Sequence, residues 1–257
     1  MKLYWNMMLM QLKSQMQYRV SFFLTVFGQF ITAFTSFFGL YFICEQVEAI
    51  DGFTFGQVLI CFAVILMSFS IGELFGGGLA VFARLLGDGT FDRVLVRPRG
   101  ALLQVLVMHL DFTRIGLLLQ AVVTLCIAVP MSGIVWSAEK VMVFILMIFS
   151  GSVLFFSLFL IQAACAFFTT ESLKFLDFFT YGARQFGRYP FSVYGEGILR
   201  VLTFVVPLAL VQYYPMLYLT DSGTALYAFA PIAALLFFVP AMGLFRLGVR
   251  RFKSTGS

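Results

Sequence analysis

Apolar runs long enough to cross a bilayer recur along most of this chain. They lie at about residues 22–43, 57–82, 102–129, 141–168 and 227–245. A hydrocarbon core about 30 Å thick needs roughly 20 apolar residues per helix, so each run predicts a transmembrane helix. The polar stretches between them are too short for a separate soluble domain, and residues 1–257 read as one membrane domain. The first twenty residues follow a different pattern. Trp5, Met8, Leu9, Leu12 and Met16 recur at helical spacing, while Lys2, Asn6, Lys13 and Gln17 occupy other faces. That pattern predicts an amphipathic elbow helix over residues 1–20, lying in the interface before the first span.

Residues 169–221 admit two readings. In one, 198–219 is a crossing interrupted by Pro207 and Pro215. In the other, 172–187 crosses as a short helix carrying Lys174, Asp177 and Arg184, and 198–219 is a re-entrant segment that dips in from the external face. A broken helix at membrane depth needs protein or a water-filled cavity around it. Apolar length alone favours the first reading. Both give an all-α polytopic protein with six spans and its two termini on the same side.

Composition removes most alternatives. The chain is 61% hydrophobic and 11% charged, against about 25% charged in ordinary soluble domains. The placement of charge then sets the orientation. Lys2, Lys13 and Arg19 precede the first span; Arg84, Arg93, Arg97 and Arg99 follow the second; Arg246, Arg250, Arg251 and Lys253 follow the last. The opposite loops carry Glu45, Glu48, Asp51, Glu139 and Asp221, with Lys140 as their basic residue. Basic residues stay cytoplasmic, so both termini are expected there. Topology thus accounts for the net charge of +5 without a nucleic-acid partner. No small-residue cleavage site follows the first apolar run, which argues against a removable signal peptide.

Catalytic chemistry has no foothold in the sequence. It contains no Gly-rich phosphate loop, no His-Glu-x-x-His zinc pair and no nucleophile elbow. The single histidine, His109, has no partner of its kind, and Cys44, Cys61, Cys126 and Cys165 are scattered. The expectation is a non-enzyme with no metal and no cofactor of its own.

Three features call for a role. In the loop 84–100, Gly87 and Gly89 permit a reversal, Thr90 offers a capping hydroxyl and Pro98 is a helix terminator. A short helix over 91–96 is predicted, with Phe91, Val94 and Leu95 apolar beside Asp92 and Arg93, a pattern suited to docking on a soluble partner. In the second span, Gly72 and Gly76 give a small-residue face for close helix packing. Glu73, Asp111 and Arg114 are costly charges at comparable depth in spans two and three, and a mutual network is expected. That network reads either as glue between the spans or as the lining of a transport path.

The segment from Gly87 to Pro98, together with Arg188-Tyr-Pro-Phe-Ser-Val-Tyr194 and the stretch from Leu202 to Pro215, resembles the membrane subunits of ABC-2-type exporters. The likeness covers essentially the whole chain. It implies an elbow helix, six spans, and a dimer with a second permease, identical or related. It also implies an ATP-binding cassette partner that holds ATP and Mg, in a bacterial cytoplasmic membrane. The 91–95 helix becomes the coupling contact, 172–187 the fifth span and 198–219 the external re-entrant segment. An ion-gradient-driven transporter or channel using Glu73, Asp111 and Arg114 is the alternative, and a scaffold without transport is a third.

Overall fold

The computed structural model describes residues 2–46, 50–98, 100–169 and 174–252. Glu48, Arg99, Ser172 and Lys253 lie outside them. The described residues form helices and connecting turns with one isolated bridge, Ile50 to Phe53, and no strand. Five helical runs are long and apolar enough to cross a membrane, six if one bent pair counts as a crossing. The chain is a polytopic all-α protein. Below, the end bearing Asp51, Ser132 and Asp221 is called distal, and the end bearing Asp88 and Arg251 proximal.

Helix α3 (Phe55–Ala80) is the axis of the bundle. It begins after Thr54, whose N–H donates to Gln57 Oε1 at 3.0 Å. Its sequence is apolar on every face, which belongs at the centre of a bundle rather than at its edge. Accordingly, α7 (Ile115–Met131) covers one side and α8 (Ala138–Thr169) the other. Val58, Leu59 and Phe62 build a distal core with Leu117, Ala121 and Met147. Phe69, Leu79 and Phe82 build a proximal one with Phe155, Phe159 and Phe245. By contrast, α2 (Arg19–Gln46) leaves Phe23, Phe27, Phe38 and Phe42 exposed. Lipid tails are as apolar as these rings, so such a face costs nothing in a bilayer.

Close approach of α3 to α8 depends on a glycine. A Cβ built at Gly72 would stand 2.7 Å from Phe155 Cβ and 3.1 Å from the Ser152 carbonyl oxygen, whereas one at Gly77 would meet only its own helix's Glu73 Cγ at 3.8 Å. Gly72→Ala should therefore destabilise the bundle by about 1–3 kcal/mol through overpacking. Gly77→Ala should be neutral or stabilising by up to about 1 kcal/mol, because alanine is the better helix former. Unfolding of the two variants in mild detergent compares them directly, and equal midpoints would refute the role of Gly72.

The N-terminal helix α1 (Lys2–Gln15) does not stand apart from α2. A 3-10 turn at Met16–Tyr18 joins them, and Tyr4–Phe42 forms one run of 39 residues. Helix α1 packs beside α6 (Ala101–Met108), with Met8, Leu9 and Leu12 half-buried and Trp5 exposed.

The third span departs from expectation. The predicted helix 102–129 is broken: α6 ends at Met108, Leu110 lies outside any helix, Asp111 is extended, and a 3-10 turn at Phe112–Arg114 leads into α7. Asp111 causes the break by accepting from the Thr113 N–H at 3.1 Å and the Thr113 hydroxyl at 2.6 Å. A short acidic side chain that bonds its own downstream backbone caps a helix instead of continuing one. Gln15 closes the gap, donating to the Leu110 carbonyl and accepting from the Phe112 N–H at 3.1 Å.

After α8 the described chain resumes with α9 (Lys174–Asp177), a π-helical turn at Phe178–Gly182, and α10 (Ala183–Phe186). This segment climbs from the level of Gln162, whose amide donates to Asp177 at 2.8 Å, to that of Ile65, against which Gly187 packs. Helix α11 (Glu196–Phe204) then turns back, and the chain bends by 83° before α12 (Leu208–Val211) and α13 (Tyr213–Leu219). Pro207 sits at the bend because it can neither donate to the preceding turn nor leave Val206 free to be helical. Pro215 lies in the first turn of α13, where a missing N–H costs nothing. Val205 and Val206 reach Leu158 and Ile161, well toward the proximal end of α8. The hairpin then returns to the distal end, where Lys140 Nζ meets Asp221 Oδ2 at 2.7 Å. The last run, Ala225–Arg251, descends through α14 (Ala230–Leu235) and α15 (Phe238–Arg251) along α8.

Candidate functional site

Two assemblies carry the charges and the loop that the sequence singled out. The first lies at the proximal turn, where α4 (Phe82–Gly87) leads through Gly89 into α5 (Thr90–Leu95). The cap is Gly89, in a left-handed conformation at φ 65°, and Thr90 is already the first helical residue. Gly87 ends α4 without an unusual torsion.

Packing divides the predicted docking face. Phe91 is 0% exposed, with its ring 5.0 Å from Phe82, 5.4 Å from Phe167 and 5.3 Å from Phe252. Val94 is buried too, and its carbonyl accepts from Gln104 Nε2 at 3.2 Å. The expectation that Phe91 and Val94 face outward is corrected: an aromatic cage within this chain takes them up. Arg93, Leu95, Val96 and Arg97 are left on the surface, with Leu95 41% and Val96 84% exposed. Asp92 is half-buried.

The second assembly is the polar network. Glu73, 1% exposed, has its Oε1 3.2 Å from Arg114, and Arg114 Nε is 3.0 Å from Asp111 Oδ2. The three expected residues do converge, on a 3-10 turn rather than on one face of a continuous helix. Two more join them from the π-helical turn and α10. The Tyr181 hydroxyl approaches the Glu73 carboxylate, and its ring packs against Phe69 and Phe159. The Arg184 guanidinium lies over the Phe69 ring at 4.8 Å, a cation–π arrangement. Arg184, in the short segment after α8, therefore points into the bundle. Sequence reasoning marks Arg184 only as an awkward charge, and nothing in the sequence marks Tyr181. The π turn that aims both inward has no local signature.

Gly72 and Gly76 both face α8, Gly76 against Phe156 and Phe159. His109 ends α6 with its Cβ against Gly78. Among the described residues, no three His, Cys, Asp or Glu side chains gather as metal ligands.

Compared with known protein families, residues 30–256 match the family described as ABC-2 family transporter protein. Neither the curated proteins nor the solved structures compared with the chain gave a match. The family match covers the bundle, the proximal turn, the polar network and the bent hairpin. The chain therefore belongs to the ABC-2 transporter family and is a membrane-embedded transport permease.

Proposed function

We propose that this permease is the membrane subunit of an ATP-driven exporter, powered by a separate ATP-binding cassette subunit that docks on the proximal turn. One observation carries the reading. Helix α5 is rooted by Phe91 and Val94 in the core shared with α8 and α15, while Arg93, Leu95, Val96 and Arg97 form an outward rim. A short helix anchored on one face and bare on the other can pass a push from a soluble partner to the spans behind it. The proximal end also carries Arg84, Arg93, Arg97, Arg246, Arg250 and Arg251, and it faces the cytoplasm by the distribution of basic residues. The hairpin from Glu196 to Leu219 then enters the membrane from outside and returns, and 174–187 supplies the remaining crossing. The exposed aromatic face of α2 is the surface offered to lipid or to a second permease.

Val96→Asp and Leu95→Asp test this contact without touching the core. Both should fold as wild type and lose at least about tenfold in co-purification with the ATPase subunit from native membranes, since a charge at an apolar contact is costly. Undiminished association in both would refute the docking role of α5. Transport that continues without ATP but collapses with an ion gradient would instead favour a gradient-driven carrier using Glu73, Asp111 and Arg114.

A further inference from the structure

Beside the polar network lies a cavity of about 230 Å³, bounded by α2, α3, α7 and the 184–188 segment. Its polar lining includes Arg114, Arg184, Arg188, Gln29, Gln185 and Ser36. Three arginines thus border one small space at membrane depth. Arg114 is shared between Glu73 and Asp111, but among the described residues neither Arg184 nor Arg188 has a carboxylate within ion-pair distance. Arg184 is held over Phe69, and both side chains are partly buried.

Charges at this depth are expensive and ordinarily face a partner or a water-filled path. Three guanidinium groups border the cavity against the two nearby carboxylates of Glu73 and Asp111, an arrangement that suits an anion. Guanidinium groups present planar forks that match phosphate and carboxylate oxygens. Gln29 donates its amide to Thr113 Oγ1 at 3.2 Å, and its own carbonyl oxygen is buried with no donor. A ligand with a hydroxyl beside its acidic group would satisfy that oxygen as well.

We propose that this cavity binds a phosphate- or carboxylate-bearing group, with Arg184 and Arg188 as its principal ligands, and that the group belongs to the molecule the permease moves. The second clause rests on the exporter reading; anion binding does not.

The test is binding, measured without ATP. Purified protein is offered phosphatidylglycerol or phosphatidylcholine in detergent, with bound lipid counted by native mass spectrometry, and inorganic phosphate by calorimetric titration. Phosphatidylglycerol should be preferred over phosphatidylcholine by at least about tenfold. Arg184→Gln and Arg188→Gln should each cut that preference by about tenfold, while the exposed Arg246→Gln leaves it intact. Arg184→Lys, which keeps the charge and loses the fork, should fall between. Phosphate binding with the same arginine dependence identifies a free anion as the ligand; lipid binding that phosphate does not displace identifies a headgroup. Equal affinity of wild type for the two lipids with no phosphate binding overturns the site, even if the glutamine variants fail to fold. So does wild-type preference in both glutamine variants. Either result leaves the exporter reading standing, and failure of the wild-type protein to co-purify with an ATPase subunit would remove that reading without touching the anion site.

Discussion

Arg114→Leu is expected to destabilise the bundle by about 3–5 kcal/mol, because it removes the guanidinium that pairs directly with the buried Glu73 carboxylate. Glu73 is 1% exposed and has Arg114 at 3.2 Å. Water does not reach it, and the Tyr181 hydroxyl offers one dipole where a full charge stood. Adding Glu73→Gln to Arg114→Leu removes the orphaned charge and should restore more than half of the loss, a coupling that a double-mutant cycle isolates. Asp111→Asn should cost about 1 kcal/mol or less, since Asp111 is 35% exposed at its side chain and asparagine keeps the capping oxygen. Detergent unfolding midpoints for wild type, the single variants Arg114→Leu, Glu73→Gln and Asp111→Asn, and the double variant supply the measurement. An Arg114→Leu protein as stable as wild type would show that the pair does not bind the spans together.

Phe91→Ala should be nearly as damaging, by about 3–5 kcal/mol, for a different reason. The ring has no exposed surface and touches Phe82, Phe167 and Phe252 edge-on. Deleting it opens a cavity among four helical segments that cannot all collapse into the space. The variant should therefore lose stability and ATPase association together, whereas Val96→Asp loses association alone. If Phe91→Ala unfolds like wild type and only association falls, the ring would have to face the partner, and the aromatic cage would be wrong.

How much of the structure is legible in the sequence differs from element to element. Helix α3 announces itself, because a run apolar on all faces and long enough to span has only one comfortable place. The convergence of Glu73, Asp111 and Arg114 is also readable, since three buried charges at one depth have few options except each other. The break at Leu110–Asp111 is hidden by its surroundings, although Asp111-Phe-Thr113 is a capping pattern. Apolar length outweighs a single acidic residue there, when that residue is in fact a helix start. Phe91 misleads because an amphipathic hexamer shows which residues share a face and not which neighbour covers it. Here the covering rings, Phe167 and Phe252, come from parts of the chain far away in sequence. Arg184 and Tyr181 depend on a π turn, and one extra residue per turn leaves no trace in composition.

Clamping α5 to Phe167 and Phe252 has a mechanical consequence. Helix α8 spans 32 residues, so at 1.5 Å per residue it is a rod of about 48 Å. A tilt of about 5° at its proximal end sweeps the far end through about 4 Å. The far end carries Lys140, and Lys140 holds Asp221 at the root of the bent hairpin. On the exporter reading, thrust delivered at α5 would be geared up along this stiff lever, and its output would arrive at the distal root of the hairpin.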